Sequence, residues 1–217
     1  VLRNPIWAFV VLVFVFFSVA TDNFFALANF QNILVQTSTI GLIALGMTFV
    51  MINGNIDLSV GATLALAASL TVDIMNAPMF ADWGNWQLLP AVLAGLASGV
   101  AIGALNGFIV WKTGVDAFIV TLGAMLGYRG LVFMYNGEQP TFLLNWTLVD
   151  MIETSVFGLE VPAIVFIAMT FVIWFIMTRT VHGRNAYAVG DNREAAVNAG
   201  IRVGPHMLMN FILIGFL

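Results

Sequence analysis

The sequence of 217 residues has no cysteine, only two histidines and few charges, with seven Lys or Arg against eleven Asp or Glu. Without cysteine there is no disulfide framework and no thiol chemistry. The two histidines, His182 and His206, are far apart in sequence and have no metal-ligand spacing, so they read as ordinary surface residues. Nothing matches a nucleotide-binding glycine fingerprint or a nucleophile–base pair, and no basic stripe suggests nucleic acid. No catalytic residue, metal ligand or resident cofactor is therefore assigned. Charged residues make up 8% of the chain, where a soluble domain carries about 25%. What remains is 61% apolar, with a mean hydropathy of +1.00. The expectation is an all-α, polytopic transmembrane bundle whose solvent is lipid.

Hydropathy places six complete spans, near Ile6–Ala20, Ile33–Ile52, Leu58–Ile74, Pro90–Trp111, Ala117–Tyr135 and Pro162–Thr178. A seventh begins near Met207 and is cut off at Leu217, because a span needs ~20 residues. Val1 is not an initiator Met, so the chain is expected to be truncated at both ends. Arg3, Lys112 and the segment from Arg179 to Pro205 mark the cytoplasmic side by the excess of positive charge there. The stretches Asn76–Leu89 and Asn136–Val161 carry acidic residues and no Lys or Arg, and read as external. Asp22–Gln31, aromatic and amphipathic, is expected at the outer interface. The turn at Asp57 is internal by parity, either at the surface or as a break in mid-membrane.

Four features stand out against the apolar background. The first is the polar interruption 179–205, which holds Arg179, Arg184, Arg193 and Arg202. Within it a short helix is written with both ends: Asp191 as N-cap with Glu194 reaching back, and Gly200 in the left-handed C′ position followed by Ile201. Ala195, Ala196, Val197 and Ala199 between them are small enough to admit another surface. The segment is either an ordinary loop helix or a docking helix for a partner. The second is Gly95, Gly99, Gly103 and Gly107, spaced by four on one helix face, which permits backbone-to-backbone approach. The partner is either a neighbouring helix or a second copy of the chain. The third is Asn53, Asn55, Asp57 and Ser59, flanked by Gly54 and Gly61. These residues either cap the third span or line a pathway through a broken helix. The fourth is Arg129, which snorkels to the outer surface, marks a helix end, or faces the pathway.

Three stretches together carry a resemblance. They are Ala44–Val50 running into Asn55–Gly61; Asn106-Gly107 with Phe118–Gly123 and Tyr128–Gly130; and Gly183-Arg184 with Ala188–Asn192 and Glu194–Ala196 to Gly200-Ile201. In this the chain resembles the permease subunits of bacterial ABC importers for monosaccharides, the ribose/xylose/galactoside family. The resemblance covers roughly Asn29 to Pro205. It departs locally at Gly54-Asn55-Ile56-Asp57, where family members usually show Gly-Gly-Ile-Asp. It implies a single permease domain over 1–217 in the bacterial inner membrane, paired with a second permease copy or paralogue. Cytoplasmic ATPase subunits holding ATP and Mg, and a periplasmic sugar-binding protein, are the implied partners. The loop 179–205 would then carry the coupling helix, with Gly190, Asp191, Asn192, Glu194, Ala195, Ala196 and Gly200 as its motif and Ala196 at or near the ATPase. An ion- or proton-coupled secondary transporter and a non-transporting membrane scaffold are the alternatives.

Overall fold

The computed structural model describes residues 5–137, 142–144, 146–156 and 158–217. Arg3, which marks the cytoplasmic side, and Glu138, an acidic residue of the external stretch Asn136–Val161, lie outside them. Long apolar runs form helices because only a helix satisfies every backbone group within its own segment. These are α1 (Pro5–Ala20), α2 (Leu27–Ile52), α3 (Val60–Asn76), α4 (Leu88–Thr113), α5 (Ala117–Asn136), α7 (Val161–Arg179) and α10 (Val203–Phe216). Short helices α6 (Thr147–Glu153), α8 (Val181–Asp191) and α9 (Arg193–Asn198) fill the connections, with a 3-10 segment at Pro78–Gln87. Strands β1 (Ser155–Val156) and β2 (Leu159–Glu160) pair as a small antiparallel ribbon, so the bundle carries this one departure from all-helix among the described residues. Four helices are long and apolar enough to cross a membrane, while α1, α3 and α10 are shorter apolar helices.

The ends follow local chemistry. Gly114 takes the left-handed conformation that terminates α4, and the Asp116 carboxylate then accepts from the Phe118 N–H at 2.8 Å to start α5. α2 begins at Leu27, so the second half of the expected interfacial stretch 22–31 is helix continuous with the span. α10 begins at Val203, ahead of the expected Met207, because Pro205 is tolerated in a first turn.

Packing fixes which ends of the helices lie together. Gly190 of α8 rests on the Ile52 carbonyl at the end of α2, and Gly204 of α10 rests on the Trp111 indole near the end of α4. Val50, Val110, Ala117, Val189, Ala196, Val203 and Met207 share one buried cluster there. Lys112, Arg179, Arg184, Arg193 and Arg202 therefore all belong to this basic end. At the opposite end the Asn76 side chain donates to the Phe142 carbonyl at 2.8 Å and accepts from the Leu144 N–H at 2.9 Å. Gln31 donates to the Gly158 carbonyl. The grouping agrees with the alternation of charge along the chain. The outer faces are apolar: α1 buries no residue, and phenylalanines such as Phe9 and Phe171 are exposed. Such a surface suits lipid.

The glycine stripe sits inside the bundle. A side chain at Gly99 would run into the Gly215 carbonyl oxygen, and one at Gly103 into the Phe211 carbonyl oxygen. One at Gly107 would meet Phe211 and Leu208, and one at Gly95 the Thr71 hydroxyl of α3. Three of the four glycines thus seat α10 on α4, and the fourth seats α3.

Candidate functional site

Two arrangements at the basic end combine polar chemistry with position. The first is built on the break between α2 and α3. α2 ends on Asn53 and Gly54: the Gly54 N–H donates to the Met51 carbonyl, and the Asn55 N–H to that of Val50. Gly54 has φ +74°, the left-handed turn such an ending requires. The Asn53 amide turns back to donate to the Phe49 carbonyl at 2.7 Å, and Asn55 donates to the Asn53 carbonyl at 3.1 Å.

Beyond it, Asp57 Oδ1 accepts from both the Ser59 N–H at 2.7 Å and the Ser59 hydroxyl at 2.6 Å. Asn106 of α4 donates to that hydroxyl at 2.8 Å, and the Tyr128 hydroxyl of α5 donates to Asn106 Oδ1 at 2.9 Å. Every donor in the series Tyr128, Asn106, Ser59 points towards Asp57. Aligned hydrogen bonds polarise one another in a low-dielectric setting, so the series stabilises negative charge on the carboxylate. The Thr121 hydroxyl lies between the Leu58 N–H (3.1 Å) and the Ile56 carbonyl (3.3 Å), tying the same break to α5. Thr121 and Asn106 stand about 6 to 10 Å inward of the ends of α5 and α4 at 1.5 Å per residue. The break is therefore recessed from the basic end of the bundle.

A cavity of about 340 Å³ opens beside Asp57 and Asn106, with Thr63, Gly99, Gly103 and Ile214 also in its wall. Of the expected polar residues, Asp57 and Ser59 enter the network and Asn53 and Asn55 shape the turn before it. Arg129 does neither. It is exposed on α5, no hydrogen bond or ion pair ties it to the Asp57 cluster among the described residues, and α5 runs on through it to Asn136. It marks no helix end. The polar position on that part of α5 is its neighbour Tyr128. Asn106, Thr121 and Tyr128 were visible as single polar residues in apolar spans, the signal that marks a functional site within a membrane.

The second arrangement is the helix pair α8–α9. Thr180 caps α8 from the Gly183 N–H, and Asp191 is the last residue of α8 instead of a cap for α9. The N-cap is Asn192, whose Oδ1 accepts from the Ala195 N–H at 2.9 Å. Two cap-competent residues stand side by side, and α8 uses the first to complete its own turn. At the other end Gly200, with φ +84°, closes α9: its N–H donates to Val197 and that of Ile201 to Ala196. Ala196 points inward and is 3% exposed, packed in the core with Val50, Val110 and Met207. It does not lie on an outer contact face. Glu194, Ala195, Val197 and Asn198 are exposed, Val197 by 55%.

Neither histidine is an ordinary surface residue. His206 is buried, and its ring centroid lies 4.5 Å from that of half-buried His182. His182 Nε2 lies 2.8 Å from Asn210 Oδ1, the tautomer with hydrogen on Nε2 donating. Burial pushes the His182 imidazole below its usual pKa, with the Asn210 contact opposing.

Residues 29–217 match the family described as the permease component of the branched-chain amino acid transport system. The chain belongs to this permease family. It is also similar to named transport proteins. The D-allose transport system permease protein of Escherichia coli K12 is 36% identical over 205 residues, covering 94% of this chain and 61% of that protein. The ribose import permease protein of Haemophilus influenzae is 36% identical over 206 residues, covering 92% and 61%. The L-arabinose ABC transporter permease protein of Azospirillum brasilense is 29% identical over 213 residues, covering 98% and 61%. The chain thus spans about three-fifths of the length of these curated relatives. No solved structure matches it significantly. The family match, with the long apolar helices, makes the chain a multi-pass membrane protein of a permease family.

Proposed function

We propose that this chain is the membrane-spanning subunit of an ATP-driven monosaccharide importer in the bacterial inner membrane. The observation that carries it is the family match over residues 29–217 together with relatives named for ribose, allose and arabinose transport. A cytoplasmic ATPase supplies ATP and Mg chemistry from its own chain, a periplasmic binding protein delivers the sugar, and a second permease copy or paralogue completes the membrane core. The basic end faces the cytoplasm, and the exposed strip Glu194, Ala195, Val197 and Asn198 of α9 meets the ATPase. Gly190, Asp191, Asn192 and Gly200 set the position of that strip. The recessed network of Asp57, Ser59, Asn106 and Tyr128 lies on the translocation route, where Asp57 and Asn106 face the cavity and the passing sugar.

The experiment is uptake of labelled ribose, allose, arabinose and galactose by vesicles holding the full-length permease, its genomically adjacent ATPase and binding protein. Uptake that requires ATP and the binding protein, and that survives a protonophore, supports the proposal. Uptake driven by a proton gradient without ATP identifies a secondary transporter with Asp57 as its coupling carboxylate. No uptake of any sugar leaves the scaffold alternative.

A further inference from the structure

The connection between α9 and the polar break is short and physically continuous. α8 is wedged against three elements. Gly183 touches the Ile176 and Met177 carbonyls at the end of α7, His182 pairs with Asn210 of α10, and Gly190 rests on the Ile52 carbonyl. The last contact is the closest to the site. Ile52 is the final residue of α2, and Asn53, which begins the turn, has its α-carbon 3.7 Å from where a Gly190 side chain would start. From there the chain passes through the left-handed Gly54 to Ile56, Leu58 and Ser59, each bonded to Thr121 or Asn106. On the other side, only Asp191 and the cap Asn192 separate Gly190 from α9. Asn53 Oδ1 is buried there without a hydrogen-bond partner among the described residues, so the turn is not fully satisfied in this arrangement. An incompletely bonded turn of a few residues is the kind of element that can adopt a second arrangement at small cost.

We infer that Gly190 is a positioning residue that transmits displacement of α9 to the Asn53–Ser59 turn, and through it to Asp57 and Asn106 at the cavity. Its contact is backbone on backbone. No flexible side chain lies between to absorb movement, and any Cβ at position 190 would strike the Ile52 carbonyl oxygen. The inference rests on α9 being the ATPase-docking helix. Docking shifts α8, α8 presses on the end of α2, and the turn after it re-orients the carboxylate network.

Two measurements on the full-length permease in nanodiscs test this, with its ATPase added. Hydrogen exchange of the unaltered protein reads the turn directly. ATPase addition should change protection at residues 53–59 as well as at α9. A change confined to α9 overturns the inference while leaving docking intact. Failure of the unaltered protein to hold the ATPase overturns docking and the inference together. The second measurement is sugar moved per ATP hydrolysed by Gly190→Ala, counted only on complexes that retain the ATPase. Sites coupled through a protein influence one another about 5- to 150-fold, so the ratio should fall at least about fivefold. A ratio equal to that of the unaltered protein overturns the inference. A purely structural fault would reduce the number of complexes, not the ratio.

Discussion

The Asn106 amide donates to the Ser59 hydroxyl at 2.8 Å across 47 residues of sequence, fastening α4 to the start of α3. It is the central link of the series from Tyr128 to Asp57. Asn106 is 1% exposed and Asp57 4%, so these bonds are made inside the bundle. Asn106→Ala leaves both the Ser59 and the Tyr128 hydroxyl short of a partner and should destabilise by about 1–3 kcal/mol. Thermal unfolding in detergent reads this as a lower Tm. Asp57→Asn keeps the shape, loses the charge and should insert normally with reduced uptake. An unchanged Tm for the first variant or full uptake for the second contradicts the role given to the network.

The glycines of α4 are not equivalent. Gly99 and Gly103 face carbonyl oxygens of α10, which cannot move without moving that helix, whereas Gly95 faces the Thr71 side chain. Gly103→Leu and Gly99→Leu should abolish folded protein, and even Gly103→Ala should lower Tm, since overpacking typically costs about 1–3 kcal/mol. Gly123→Ala on α5, where an added Cβ meets nothing within 4 Å among the described residues, should be tolerated. Recovery and Tm by fluorescence-detected gel filtration compare the set. Equal behaviour of Gly103→Ala and Gly123→Ala would contradict the close seat of α10 on α4.

His182 makes stability depend on pH. Its imidazole resists protonation in the folded protein because burial disfavours the charged form. The unfolded chain takes up that proton below about pH 6.5. A folded-state pKa below the unfolded value means that stability is fully present above the unfolded pKa and falls as pH drops below it. Tm should therefore decrease between about pH 7 and about pH 5.5, and by less in His182→Gln, which keeps a donor for Asn210 but does not titrate. Identical pH profiles for the two proteins would remove His182 from this account.

The spans and the sidedness of charge were legible because hydropathy and Lys/Arg placement act over whole segments. The spacing of Gly95 to Gly107 announced a close contact for the same reason, since four residues return to one helix face. Its partner was not legible: Phe211 and Gly215 are more than a hundred residues away, and no local rule pairs them with α4. Local competition hid the cap of α9, where Asp191 and Asn192 are both suited and α8 decides between them. The direction of Ala196 was hidden likewise, because a helix of six residues flanked by small side chains on every face has no apolar stripe to orient it. His182 and His206 looked solvent-exposed until the turn through α9 brought α8 beside α10. Asn106, Thr121 and Tyr128 were individually conspicuous, but their bonding to the Asp57 turn is a property of three helices together.

The burial of Ala196 decides how docking is tested. Ala196→Trp would disrupt the core shared with Val50 and Met207, so loss of a partner from that variant says nothing about a docking surface. Val197 is exposed and makes the cleaner probe. The most direct measurement is retention of the ATPase by the tagged full-length permease carrying Val197→Asp, beside the unaltered protein and beside Tyr187→Asp on the exposed face of α8. All three should insert and melt alike, since neither altered side chain is buried. The account predicts that the unaltered protein and Tyr187→Asp hold the ATPase while Val197→Asp loses it, because a carboxylate in an apolar contact is left unpaired and desolvated. Undiminished retention by Val197→Asp would contradict α9 as the docking element.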